Sequence, residues 1–143
     1  MLRRRVFAIV LLMALPLTGV VVTAPVSAQT PPTIDITSAT LIAKGAAVDV
    51  GLTVNCEVGY SYYYSGVTLT QRSSKLIAQG SGSSSEIVTC NGQPQTVTAR
   101  VTASANGSTA FKKGTALAQA YMQLCGPFDC PYVTVSKTIS IGK

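Results

Sequence analysis

Val48-Asp49-Val50-Gly51-Leu52-Thr53-Val54-Asn55-Cys56 alternates apolar and polar residues without a break. A period of two puts Val48, Val50, Leu52, Val54 and Cys56 on one face of an extended chain and their neighbours on the other. A helix would scatter the same residues around its circumference, so the stretch predicts a strand with one buried face. Working outward, Val97, Ala99, Val101 and Ala103 alternate with Thr96, Thr98, Arg100 and Thr102. Ala116, Ala118, Ala120, Met122 and Leu124 form a third apolar row. By propensity that row could be an Ala-rich helix, but its Gly114-Thr115 opening and strict alternation favour a strand.

Further strands are expected at 34–42, 62–72, 75–79, 85–90 and 132–141. They are separated by the turn signals Lys44-Gly45, Arg72-Ser73-Ser74, Asn91-Gly92, Asn106-Gly107 and Gly126-Pro127. Seven or eight short strands without a convincing helix predict an all-β fold, an immunoglobulin-like antiparallel sandwich spanning residues 33–143. Residues 80–85 (Gly-Ser-Gly-Ser-Ser-Ser) read as a loop or bulged edge rather than a linker.

The first 28 residues read differently. Met1-Leu2-Arg3-Arg4-Arg5 precedes an apolar run from Val6 to Leu17, and Val26-Ser27-Ala28 supplies small residues before Gln29. This is the pattern of a secretory signal peptide at 1–28, with residues 29–32 left as a short extended leader. Pro16 and Gly19 interrupt the run, which is too short for a spanning helix. Arg4-Arg5-Val6-Phe7 faintly echoes a twin-arginine signal, but a general secretory route fits better. The expected destination is extracellular, and the compact Arg-rich leader suggests a bacterial source.

Composition narrows the chemistry. The chain has no His and no Trp, and only 11% of its residues are charged. Without His, Ser-His-Asp triads, Cys-His nucleophiles and His-ligated metals are excluded. The formal charge of +6 falls to +3 once Arg3, Arg4 and Arg5 leave with the signal. The remaining basic residues are dispersed along the sequence, which gives no stripe for nucleic acid. No membrane partner is expected after cleavage, since no second apolar segment follows and no cysteine lies near the cleavage point for a lipid anchor.

Four cysteines behind a signal peptide should pair, with three connectivities open. Phase favours Cys125–Cys130 across a hairpin, because Cys125 is out of step with the inward row ending at Leu124, and Cys56–Cys90 between strand ends. A four-cysteine zinc site lacks its second short pair. The acids Asp35, Asp49, Glu57, Glu86 and Asp129 lie on separate elements, against the flanking carboxylates of a glycosidase. Ser74-Lys75 is a poor nucleophile pair, since adjacent strand residues face opposite sides. No catalytic residue, metal or cofactor is expected. Asn106-Gly107-Ser108 matches a glycosylation sequon but is equally a hairpin turn.

Tyr60-Ser61-Tyr62-Tyr63-Tyr64-Ser65-Gly66 holds four of the six tyrosines. In such a sandwich this segment and the Phe128 loop emerge at the same end. Tyr60, Tyr62, Tyr64, Phe128 and Tyr132 are therefore the candidate binding residues, for tyrosine gives large amphipathic contact at low entropic cost. Alternation puts Tyr63 with Val67 and Leu69, so Tyr63 is the expected core aromatic in a chain without Trp. The expected function is a secreted, non-catalytic binding or structural domain with an unidentified protein or cell-envelope partner. A small-molecule carrier is the alternative, and a secreted hydrolase comes third.

The segments Leu52-Thr53-Val54-Asn55-Cys56, Val67-Thr68-Leu69-Thr70-Gln71-Arg72, Thr89-Cys90-Asn91-Gly92 and Gly114-Thr115-Ala116 to Leu124-Cys125 resemble small secreted immunoglobulin-like domains of actinobacteria. The chain is also distantly similar to neocarzinostatin-type apoproteins. That likeness implies a seven-stranded sandwich with two disulfides, one across a short hairpin, and a ligand cleft. The widely separated Cys56 and Cys90 depart from that family's second close pair, and no binding residue is carried over.

Overall fold

The computed structural model describes residues 30–73, 75–105 and 109–142. The expected signal peptide, the cleavage point, Ser74 and the Asn106 sequon lie outside the described residues. Seven antiparallel strands make up the fold: β1 (Thr33–Ile42), β2 (Ala47–Asn55), β3 (Ser61–Ser73), β4 (Leu76–Ser83), β5 (Gln95–Ala103), β6 (Gly114–Cys125) and β7 (Tyr132–Ile141). The three alternating rows are β2, β5 and β6. Each buries its apolar phase: Val48, Val50, Leu52, Val54, Ala99, Ala118, Ala120, Met122 and Leu124 are all fully enclosed.

All seven strands hydrogen-bond into one sheet in the order β1-β2-β5-β4-β3-β6-β7. The sheet curls until its two edges meet. β1 and β7 run parallel where they touch, with Leu41 N donating to Gly142 O at 3.2 Å and Gly142 N to Ala39 O at 2.9 Å. Lys137 Nζ ties the seam further along, reaching Asp35 Oδ1 at 3.2 Å and Ile36 O at 3.1 Å. The shape is thus barrel-like and nearly closed. Alternation within strands carries no information on which edges meet, so two separate sheets could not be told from one curled sheet at the level of sequence.

β4 is the bridge. It pairs with β3 along its whole length, but with β5 only through Gly80–Ser83. Its two glycines permit this: a Cβ on Gly82 would lie 1.8 Å from Arg100 O, and one on Gly80 would lie 2.2 Å from Thr102 O. The strand expected at 85–90 does not form. From Ser84 the chain makes bonds that replace a ladder: Ser84 N donates to Ser65 O at 3.1 Å, and Glu86 Oε1 accepts the Thr98 N–H at 2.9 Å. Gly92, at φ +76°, and the Cys56–Cys90 bond then pin the segment over the core, where Val88 is buried.

The core aromatic also differs from expectation. Tyr63 is 65% exposed, while Phe111, in the β5–β6 connection, is the largest fully buried side chain. The reason is a bulge between Tyr62 and Tyr64 in the β3–β6 ladder. An extra residue shifts the alternation by one, so Tyr62 opposes inward-facing Leu124 and Tyr63 is turned out. Phe111 is held by its N–H donating to Gly45 O at 2.8 Å. The other large buried side chains are aliphatic, chiefly Ile36, Leu52, Leu69, Met122 and Leu124.

Candidate functional site

One end of the molecule collects the β2–β3, β4–β5 and β6–β7 connections. Register defines it: Ser61 opposes Cys125, Thr33 opposes Asn55, and Gln123 opposes Tyr132. The disulfides join Cys56 to Cys90 and Cys125 to Cys130, the pairing that strand phase favours, and both brace this end. Within the Cys125–Cys130 loop, Gly126 N donates to Asp129 O at 2.7 Å, which makes a tight turn. The turn leaves Phe128 98% exposed at its tip.

The candidate tyrosines divide into two groups. Tyr60 and Tyr62 are half-buried and pack on the core. The ring of Tyr60 lies so close to the hairpin that a Cβ on Gly126 would be 2.9 Å from its Cε1. Tyr62 donates its hydroxyl to Ser65 Oγ at 2.7 Å, and burial raises its pKa above the ordinary tyrosine value, against the opposing pull of the Ser65 bond. These two rings support the end from beneath.

Tyr64 and Tyr132 form a surface instead, with a third ring between them. Tyr121 meets Tyr64 edge-on at 6.1 Å and stacks on Tyr132 at 5.9 Å, with 22° between the latter planes. Such pairs are worth about 0.5–1.5 kcal/mol beyond area burial. Tyr121 fits because it lies over Gly66, its cross-strand partner, where any side chain would collide with it. The phenol of Tyr132 is held above its ordinary pKa, first by loss of surrounding water and then by the Tyr64 and Tyr121 hydroxyls. Sequence reading passed over Tyr121. Its signal was its place in the outward phase of the row Ala116 to Leu124, opposite a glycine.

The acids are partly engaged. Arg100 forks onto Asp49 with bonds of 2.8 and 3.0 Å, and this hydrogen bonding lowers the Asp49 pKa. Asp35 holds Lys137, and Glu86 caps Thr98. A polar hollow of about 350 Å³ is lined by Asp49, Ser83, Ser85, Thr98 and Arg100. A second, of about 300 Å³, follows the β1–β7 seam. Both are open depressions in the outer surface. Among the described residues no helix is long and apolar enough to cross a membrane. Comparison with protein-family models, with curated proteins and with solved structures found no match to this chain.

Proposed function

We propose that the chain is an exported, non-catalytic binding domain whose tyrosine-bearing end contacts a protein or cell-envelope partner. The observation that carries this reading is the Tyr64–Tyr121–Tyr132 stack, presented at the same end as a disulfide-closed loop with Phe128 at its tip. A wholly exposed phenylalanine beside partly exposed tyrosines is the composition of an anchor patch awaiting a cover. Two disulfides suit an oxidising compartment, in keeping with the export leader expected at 1–28.

The curled sheet is an immunoglobulin-like sandwich in which β1-β2-β5 opposes β3-β6-β7, with β4 crossing between them. Support comes from β4 sharing only its last four residues with β5. The likeness to actinobacterial immunoglobulin-like domains and to neocarzinostatin-type apoproteins rests on the sequence segments quoted for it and on the short Cys125–Cys130 hairpin bridge.

The carrier alternative needs an opening into the interior, and the packing of Leu52, Leu69, Met122 and Leu124 weighs against one. The hydrolase reading needs two carboxylates flanking one bond, whereas Asp35, Asp49 and Glu86 each hold a structural partner and Glu57 and Asp129 lie in separate connections. The test is capture from envelope extract or culture supernatant on immobilised wild type and on Phe128→Ala/Tyr132→Ala. Both side chains are exposed, so the variant keeps its core. The expected result is loss of a species that wild type retains. Equal capture by the two proteins rejects the tyrosine-bearing end as the contact.

A further inference from the structure

The basic residues that lie dispersed along the sequence are gathered by the fold. Lys44 is in the β1–β2 turn, Arg72 near the end of β3, Lys75 before β4, and Lys112 and Lys113 just ahead of β6; all five are exposed. Their connections share the end of the molecule opposite the tyrosines, as the pairs Ile42–Ala47, Ser73–Leu76 and Gly114–Ile141 require. Direct bonds tie them together. Phe111 bonds the Lys44-Gly45 turn, the Gln71 amide grips the Lys112 backbone through two 2.8 Å bonds, and Thr109 N donates to Ile77 O.

No acid sits in these connections. Asp49, inside β2, is held by Arg100, and Asp35 by Lys137. Glu57, Glu86 and Asp129 lie in the connections of the opposite end. The basic end also carries exposed aliphatic surface: Leu76 is 60% and Ile77 55% exposed, directly after Lys75.

We propose that this end docks on an anionic lipid bilayer. The five cationic side chains meet headgroup phosphates while Leu76 and Ile77 enter the acyl boundary. Basic residues near such a surface each contribute modestly and sum, and adjacent apolar side chains convert attraction into seating. A soluble polyanion would use the charges and leave Leu76 and Ile77 idle, so their exposure in the same hairpin decides for the bilayer. The sequence argued against a membrane partner because it lacks a second apolar segment. This surface exists only after folding, and it stands independently of the tyrosine-bearing end.

The test uses residues 29–143, which carry the whole described core and both disulfides. They are sedimented with phosphatidylcholine vesicles, with or without roughly 30% phosphatidylglycerol, at about 50 and about 300 mM salt. Binding is expected only to the anionic vesicles at low salt, falling at least ~10-fold in Lys44→Glu/Lys112→Glu/Lys113→Glu. Because the chain has no Trp, Leu76→Trp supplies a single reporter whose emission should shift to the blue on anionic vesicles. Equal partition to neutral vesicles, or no binding at low salt, overturns the proposal. So does an unshifted Leu76→Trp emission with competition by heparin, which would assign the end to a charged polymer. A circular-dichroism melt of each variant separates lost binding from lost fold.

Discussion

Gly66 shows how much one missing Cβ can decide. Tyr121 lies flat over it, and a methyl group there would be 2.4 Å from the Tyr121 hydroxyl. The obstructing atoms are the far end of a side chain that can swing toward solvent, so Gly66→Ala should fold. It should lose the Tyr64–Tyr121–Tyr132 stack at a cost of about 1 kcal/mol, seen as a changed near-ultraviolet circular dichroism spectrum with an unchanged far-ultraviolet one. Tyr62 gives a pH-dependent counterpart. Its folded-state pKa is raised, so above the ordinary value of 10.0 the unfolded chain sheds a proton that the native state keeps. Stability therefore falls as pH climbs past that value. Tyr62→Phe should be about 1 kcal/mol less stable at neutral pH, having lost the Ser65 bond, yet lose less than wild type on going to about pH 11. Denaturant titrations at both pH values check this. Asp49 works at the other extreme: its pKa is lowered, so its pairing with Arg100 is present above the ordinary carboxylate value and fades as acid protonates it.

β4 joins β3 to β5 in the sheet, and at its glycines the approach to β5 is backbone against backbone. At Gly82 the obstacle to a side chain is the Arg100 carbonyl, which cannot swing aside as Tyr121 can. Gly82→Ala should therefore cost about 3 kcal/mol, well beyond Gly66→Ala, with amide exchange rising first in β4. The disulfides also differ in reach. Cys56–Cys90 closes a separation of 34 residues and Cys125–Cys130 one of 5. On the loop-entropy account, Cys56→Ala/Cys90→Ala should lose about 3–4 kcal/mol and Cys125→Ala/Cys130→Ala about 2 kcal/mol, measured by thermal unfolding of each pair. How far elements could be read in advance follows from the same physics. β2, β5 and β6 were legible because each keeps one uninterrupted phase against the core. The bulge in β3 was hidden, since Ser61 to Ser65 carries no glycine or proline to mark an inserted residue. The 85–90 segment has strand-like composition, but its hydrogen bonds go to Ser84, Gln95 and Thr98 in ways that no local pattern specifies.

At the level of the whole molecule, the basic end could not be found by reading along the chain. Lys44 and Lys112 are distant in sequence, and bonds such as those from Phe111 to Gly45 and from Lys112 to Gln71 bring their connections together. The candidate aromatic end was more legible, because the Tyr60–Tyr64 run and the Cys125–Cys130 hairpin each announce themselves locally and antiparallel connectivity puts them at one end. The described domain is bipolar, with acids and aromatic rings at one end and lysines with Leu76 and Ile77 at the other. Seated by its basic end, it would hold the tyrosine stack away from the surface, facing a partner. The β1–β7 seam has a mechanical consequence. Thr33 enters at the aromatic end and Gly142 leaves at the basic end, along neighbouring parallel strands. Tension between the two chain ends is therefore applied along the strands, loading the β1–β2 and β6–β7 ladders in shear. Their bonds must yield together rather than one at a time, the stiffer way to pull on a sheet.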